Sequence, residues 1–359
     1  MSKKFFLTSL LVALTTVAAW ADSPARKPHL RFAFIGCNRI GFTELTPDNP
    51  STVNRQQFLQ TYRDLSGNPP AYLFWVGDIV TNYMPGSQTM KDQLSAWRDY
   101  HEATEFSKGS TVMVPIVGNH EVLTSDQDPV TKKWKDRPNP ETLPVWESIL
   151  APYLKWNDGP TVAGSNPDEL THDQSRFSFS IKDKDVLFLC LNTDTFVDDV
   201  TIGDVPLHWI EAKLQQAQSD PEIKHIFLLG HKPVTRPGLP GDIIRDGEET
   251  ALDVLMAKHS KVRAFLTSHF HLWDYRQTEH GVPQVIAGNG GSTASGDFNK
   301  DGKGYYGYTV VELFDNGDLK VENWGRPIPV PYDSNEPQPP AKLIETISVP
   351  HKKADAWFF

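Results

Sequence analysis

The sequence predicts a layered α/β domain. Short apolar runs of strand length alternate with segments of helical periodicity, which is the pattern of strands covered by helices. Four of the runs, 72–76, 112–117, 226–229 and 262–267, end abruptly in polar residues. Those endings are Gly77-Asp78, Gly118-Asn119-His120-Glu121, Gly230-His231 and Ser268-His269-Phe270-His271.

Taken in order, a polar leader over 22–30 enters a first strand at 31–35. A helix is predicted over 53–65, with Phe58, Tyr62 and Leu65 on one face, and it stops at Ser66-Gly67 and Pro69-Pro70. A second helix spans 90–104, with Leu94, Trp97 and His101 facing inward. The segment 123–173 breaks the alternation. It is rich in Pro, Asp and Lys and carries Trp134, Trp146 and Trp156. It reads as an insertion, either a gating loop beside the site or an excursion packed down by its aromatics.

Strands resume at 175–181 and 186–192. Asp204 is placed to cap a helix over 206–218, whose stripe is Leu207, Ile210, Leu214 and Ala217. A helix at 248–259 and strands at 284–287, 306–313 and 319–323 follow, the last two joined by a turn at Asp315-Asn316-Gly317. The domain thus covers 31–325, and 326–359 is a Pro-rich tail, extended or without order.

The start of the chain has another reading. Lys3 and Lys4, an apolar core over 5–17 and Ala19-Trp20-Ala21 form a bacterial-type signal peptide, 1–21, cut before Asp22. The expected location is therefore periplasmic or secreted, with no membrane span left after cleavage. A net charge of −10 argues against nucleic-acid binding. The two cysteines, Cys37 and Cys190, leave a disulfide open in such a compartment. Cys190 falls mid-strand, where a thiol acts as a small hydrophobe. Cys37 falls at the end of strand one, where a thiolate can hold Zn or Fe.

Strand ends that bring Asp, Asn and His to one edge of a sheet build metal sites in α/β proteins. A donor set of nitrogen and oxygen suits Zn, Mn or Fe rather than Ca alone. This motif order resembles the calcineurin-like metallophosphoesterase superfamily, over about 31–325. The stretches 209–214, 226–233 and 288–292 look like its purple-acid-phosphatase-related branch. The resemblance implies a four-layer α/β/β/α sandwich of mixed sheets flanked by helices. It implies one metal site at Asp78, Asn119, His231 and His269, and another at Cys37, Asp78 and His271, holding one or two divalent or trivalent ions. It further implies hydrolysis of a small phosphate mono- or diester by a metal-bound hydroxide, with His120 as general acid.

One motif departs from the family. The first should carry Asp and His two residues apart, and Cys37 and Arg39 hold those places, with Asn38 turned away. Guanidinium has no lone pair for a metal. Arg39 is instead expected either to grip a phosphate oxygen or to pair with a carboxylate. His120 has Glu121 as its nearest orienting group, and Thr81 stands where the family often places a second acid. The eroded motif leaves a second reading open, a non-catalytic metal- or ligand-binding protein on the same scaffold.

Overall fold

The structure is a computed structural model, and it describes residues 27–41, 51–83, 86–127, 129–132, 134–160, 168, 170–196 and 202–351. The expected signal peptide lies outside the described residues. Strand β1 (Leu30–Ile35) leads through helix α1 (Arg55–Ser66) to β2 (Tyr72–Val76), then through α2 (Gln88–Glu102) to β3 (Val112–Ile116). A single turn, α3 (Asn119–Val122), precedes the hairpin β4 (Leu123–Gln127) and β5 (Trp134–Pro138), then α4 (Leu143–Leu150) and the short α5 (His172–Ser175). The second half runs β6 (Phe179–Asp183), β7 (Val186–Leu191), α6 (Leu207–Ser219), β8 (His225–Gly230), α7 (Glu248–Lys258) and β9 (Val262–Thr267). It closes with β10 (Trp273–Gln277), β11 (Pro283–Ala287), β12 (Tyr305–Leu313), β13 (Leu319–Pro327) and β14 (Lys342–Val349).

Among the described residues these strands form two six-stranded sheets, ordered β14-β13-β12-β1-β2-β3 and β10-β11-β9-β8-β7-β6, besides the β4–β5 hairpin. Both are mixed. In the first, β1, β2 and β3 are parallel and β12 is antiparallel to β1. In the second, β7, β8, β9 and β11 are parallel.

Side-chain alternation along each strand decides the layering. Phe32, Phe34, Phe74 and Val76 face Phe188, Phe227 and Leu229 between the sheets, while Ala33, Ile35, Leu73 and Trp75 face the first pair of helices. Phe32 meets Phe74, Phe188 and Phe227 edge-on at 5.9, 5.1 and 5.1 Å, the geometry aromatic quadrupoles favour. On one outer face, Phe58 of α1 and Trp97 of α2 pack on Trp75. On the other, Ile210 and Leu214 of α6 and Leu252 and Met256 of α7 pack on Leu189 and Leu228. The result is the expected α/β/β/α sandwich.

Three details bear on the expectations. Asp204 does not cap α6. Its backbone is tied to Thr195 and its carboxylate pairs with Arg245. Asp168, distant in sequence, takes the capping role by accepting from the His208 and Trp209 N–H groups at 2.8 and 3.1 Å. In the segment 123–173 the described aromatics pack down, one of the two alternatives expected: Trp146 of α4 is buried in the α1–α2 layer, and Trp156 stacks on Phe179 at 5.5 Å. Beyond Gly325 the sheet continues, since β13 runs to Pro327 and β14 pairs with it. All the prolines of the tail except Pro350 come before β14, whose Ile344, Thr346, Ile347 and Val349 suit a strand. No helix among the described residues is long and apolar enough to cross a membrane.

Candidate metal centre

Parallel strands end together, so β1, β2 and β3 present Cys37, Asp78 and Asn119 at one edge, and β8 and β9 present His231 and His269 at the corresponding edge of the other sheet. The two edges are stitched together directly. Gly36 N–H donates to the Ala287 carbonyl at 3.0 Å, and His231 Nδ1–H to the Val76 carbonyl at 2.8 Å. Two glycines permit this approach. A Cβ on Gly77 would lie 2.3 Å from His231 Nδ1, and one on Gly118 would lie 2.5 Å from the Asp78 amide nitrogen. Gly77 also turns the chain at φ +79°, followed by Asp78 at +54°. Cys37 and His269 likewise sit in the left-handed region, at +54° and +70°. Such backbone costs about 1–3 kcal/mol per residue and clusters at functional sites.

Donor atoms of four residues meet around His231. His231 Nε2 lies 3.2 Å from Asp78 Oδ1, 2.9 Å from Asn119 Oδ1 and 3.2 Å from His269 Nδ1. His269 Nδ1 is 3.0 Å from Asn119 Oδ1. Ligands held tetrahedrally about one ion at 2.0–2.2 Å stand about 3.3–3.6 Å apart, close to the spacing within the Asn119, His231 and His269 triangle, which Asp78 joins at His231. The charge balance agrees. Burial alone would raise the Asp78 carboxyl, but His231, His120 and Arg39 hold it well below the usual range. Burial and the charge of His231 keep His269 neutral, the form that binds metal. Burial disfavours the His231 cation too, yet Asp78 more than offsets this and its pKa rises.

The other side of Asp78 is different. The Arg39 Nε lies 3.3 Å from Oδ2, so the carboxylate-pairing expectation for Arg39 describes the structure. Cys37 Sγ is 3.9 Å from the same oxygen, and Cys37, Asp78 and His231 could also share an ion. Cys37 and Cys190 are both free and buried; burial and the Asp78 charge push the Cys37 thiol well up. Cys190 lies in the core between the sheets. The Asn38 amide is turned away as expected, donating to the Gly290 carbonyl at 2.7 Å. His271 donates from Nδ1 to the Thr293 carbonyl at 2.6 Å, and burial together with Arg39 lowers its pKa to about 4.

His120 is oriented by a group the sequence did not suggest. Its Nδ1–H donates to the Thr81 carbonyl at 2.6 Å, leaving Nε2 3.9 Å from Asp78 Oδ2. Glu121 holds backbone instead of orienting His120. It accepts from the N–H groups of Gly118, Asp78, Ile79 and Val80 at 2.7, 3.0, 2.7 and 3.1 Å. Burial and Asp78 push its pKa to about 7.

Two further features escaped the sequence reading. Tyr83 stacks on His120 at 4.0 Å, and its hydroxyl accepts from the Asn119 amide. Lys232 and Asp194 form a buried ion pair at 2.6 Å beside His231. Asp194 stands three residues past the apolar run of β7, as Asp78 stands two past β2, and that signal could have nominated it.

No model of a known protein family matches the chain. Human (Homo sapiens) tartrate-resistant acid phosphatase type 5 is 29% identical over 127 residues, which are 33% of this chain and 36% of that protein. The purple acid phosphatase from yellow lupin (Lupinus luteus) seeds superposes with a TM-score of 0.55 at 15% identity, covering 89% of this chain and 53% of that one. A dimetal phosphatase from Danio rerio gives 0.53 at 12% identity, covering 90% of this chain and 100% of that one. The chain thus spans about half the length of the lupin enzyme, and its match with the human phosphatase is limited to about a third of each chain. Its fold is that of the purple acid and dimetal phosphatases, the metallophosphoesterase fold that the motif order implied.

Proposed function

We propose that this protein is a metal-dependent hydrolase of phosphate mono- or diesters. The observation that carries the reading is the triangle of Asn119, His231 and His269 donors, joined by Asp78 at His231, with His120 fixed beside it. These four residues would hold Zn, Mn or Fe. A cation held there would polarise a phosphoryl oxygen and acidify water, supplying a nucleophile at neutral pH.

The remaining work falls to side chains. His120, with Nδ1–H held by Thr81, aims Nε2 toward the centre, where a proton on it can neutralise a departing alkoxide. In the free protein, burial and Arg39 press its pKa to about 3, so the acid form needs the negative charge of a bound phosphate nearby. Tyr83 holds both the His120 ring and the Asn119 amide, which preserves their relative position. The Arg39 fork can bind equatorial phosphoryl oxygens, where charge accumulates.

One observation favours a second reading, a metal- or ligand-binding protein without catalysis: Arg39 occupies the altered first motif and pairs with Asp78. Metal content and nitrophenyl phosphate hydrolysis, measured on the wild type and Asp78→Asn, separate the two. The hydrolase reading expects both to collapse together in the variant. Metal retained at the wild-type level in Asp78→Asn overturns the site. Metal in the wild type without hydrolysis of any phosphate ester favours the binding protein.

A further inference from the structure

The Asp78 carboxylate divides its oxygens between two surroundings. Oδ1 faces His231 Nε2 and the His120 backbone N–H, each at 3.2 Å. Oδ2 faces Arg39 Nε at 3.3 Å, with Cys37 Sγ and His120 Nε2 each at 3.9 Å. In a two-metal centre each side of a shared carboxylate would serve one cation. Here the Oδ1 side leads through His231 to the Asn119 and His269 donors, and the Oδ2 side already has a permanent cation. A guanidinium stays protonated and offers no lone pair. A metal ion at bonding distance from Oδ2 would compete with it for the same oxygen and be repelled by its charge.

Arg39 is not a surface residue that happened to fold inward. The Ser292 hydroxyl is within 2.8 Å of the carbonyl oxygens of both Cys37 and Arg39, and Ser292 N–H donates to the Cys37 carbonyl at 2.9 Å. The Arg39 backbone also bridges to Val53. The loop is thus pinned from two sides. The side chain remains 18% exposed, so part of its fork faces an arriving anion.

We infer that Arg39 replaces the first metal ion: the chain binds one transition-metal ion, at Asp78, Asn119, His231 and His269, and the guanidinium serves as the tethered second positive charge. This rests on the metal site proposed above and reduces the expected one or two ions to one. It also leaves Cys37, 3.9 Å from Asp78 Oδ2, outside the ligand set.

The test is metal counting on the full chain, loaded with cobalt(II) and freed of excess, together with the cobalt spectrum. One ion per chain is expected in the wild type and in Arg39→Met. Two are expected in Arg39→His, because an imidazole there adds a donor beside Cys37, Asp78 and His271. The wild-type spectrum should lack a thiolate-to-cobalt charge-transfer band, and Arg39→His should gain one as Cys37 is recruited. Two ions in the wild type, or a thiolate band in it, overturn the inference even if Arg39→His fails to fold. A wild type that binds no metal overturns the inference and the proposed function together. One ion without phosphate-ester hydrolysis removes only the hydrolase reading and leaves the role of Arg39 standing.

Discussion

At the scale of single residues, His120 and Asn119 are neighbours with separate tasks. Asn119 turns its carbonyl oxygen to His231 and His269, while the His120 ring turns to Thr81 and stacks on Tyr83. His120→Ala should therefore leave metal content near wild type. General-acid help is typically worth about 10²–10⁴-fold, and it matters when the leaving oxygen is basic. The loss should be large on alkyl phosphate esters and visibly smaller on nitrophenyl esters, in steady-state assays of both. Equal losses, or metal falling in step with activity, would show His120 acting as a ligand or a positioning group. Asp78, Asn119, His231 and His269 were legible in the sequence because each ends an apolar run at a strand edge. The tasks of Thr81 and Tyr83 were not. They depend on where the chain turns after Gly77 and Asp78, at φ +79° and +54°, and no periodicity encodes that turn.

At the scale of elements, the site is a meeting of loops, and Glu121 organises it. Each carboxylate oxygen accepts two backbone N–H groups, Oε1 from Ile79 and Val80, Oε2 from Asp78 and Gly118. One side chain thereby locks the loop after β2 to the loop after β3 and fixes Asp78 in its left-handed conformation. Glu121→Gln keeps the shape but turns one oxygen into an NH₂ group facing two donors. A stranded buried donor costs about 1–3 kcal/mol, so a loss of several kcal/mol in folding stability is expected. Metal affinity should fall as well, because Asp78 is no longer held in place. Urea denaturation and metal titration of the variant check both. A wild-type midpoint in Glu121→Gln would mean that the loops are held by packing alone. The sequence suggested Glu121 only as a partner for His120, since adjacency in the chain is visible and a carboxylate reaching back across Gly118 is not.

At the scale of the whole molecule, the strand-length runs and the α/β alternation were readable, but the partition of strands between two sheets was not. Phe32, Phe74, Phe188 and Phe227 come from strands far apart in sequence, and their mutual packing closes the sandwich. The β14 pairing was hidden behind a proline-rich approach. His101 was legible as an inward residue of its helix, and burial there carries a consequence for the entire fold. Its Nδ1 lies 2.7 Å from the Tyr62 hydroxyl, its ring stacks on Trp97 at 5.7 Å, and burial lowers its pKa to about 4. In the unfolded chain it would titrate near 6.5. Between those values the unfolded state binds the extra proton. The contribution of neutral His101 is thus present above pH 6.5 and is lost as pH falls toward 4. For this one group the loss between pH 7.5 and 5 is about 2 kcal/mol. His101→Phe keeps a flat ring against Trp97 and removes the titration. Its stability at pH 7.5 should fall through the missing Tyr62 hydrogen bond, yet its further decline on acidification should be shallower than that of the wild type by about 2 kcal/mol. Urea midpoints at the two pH values, taken on chelator-treated protein for both forms, give the comparison. Parallel declines would mean that His101 becomes protonated within the folded state at little cost, and that its burial in the α1–α2 layer is looser than the packing indicates.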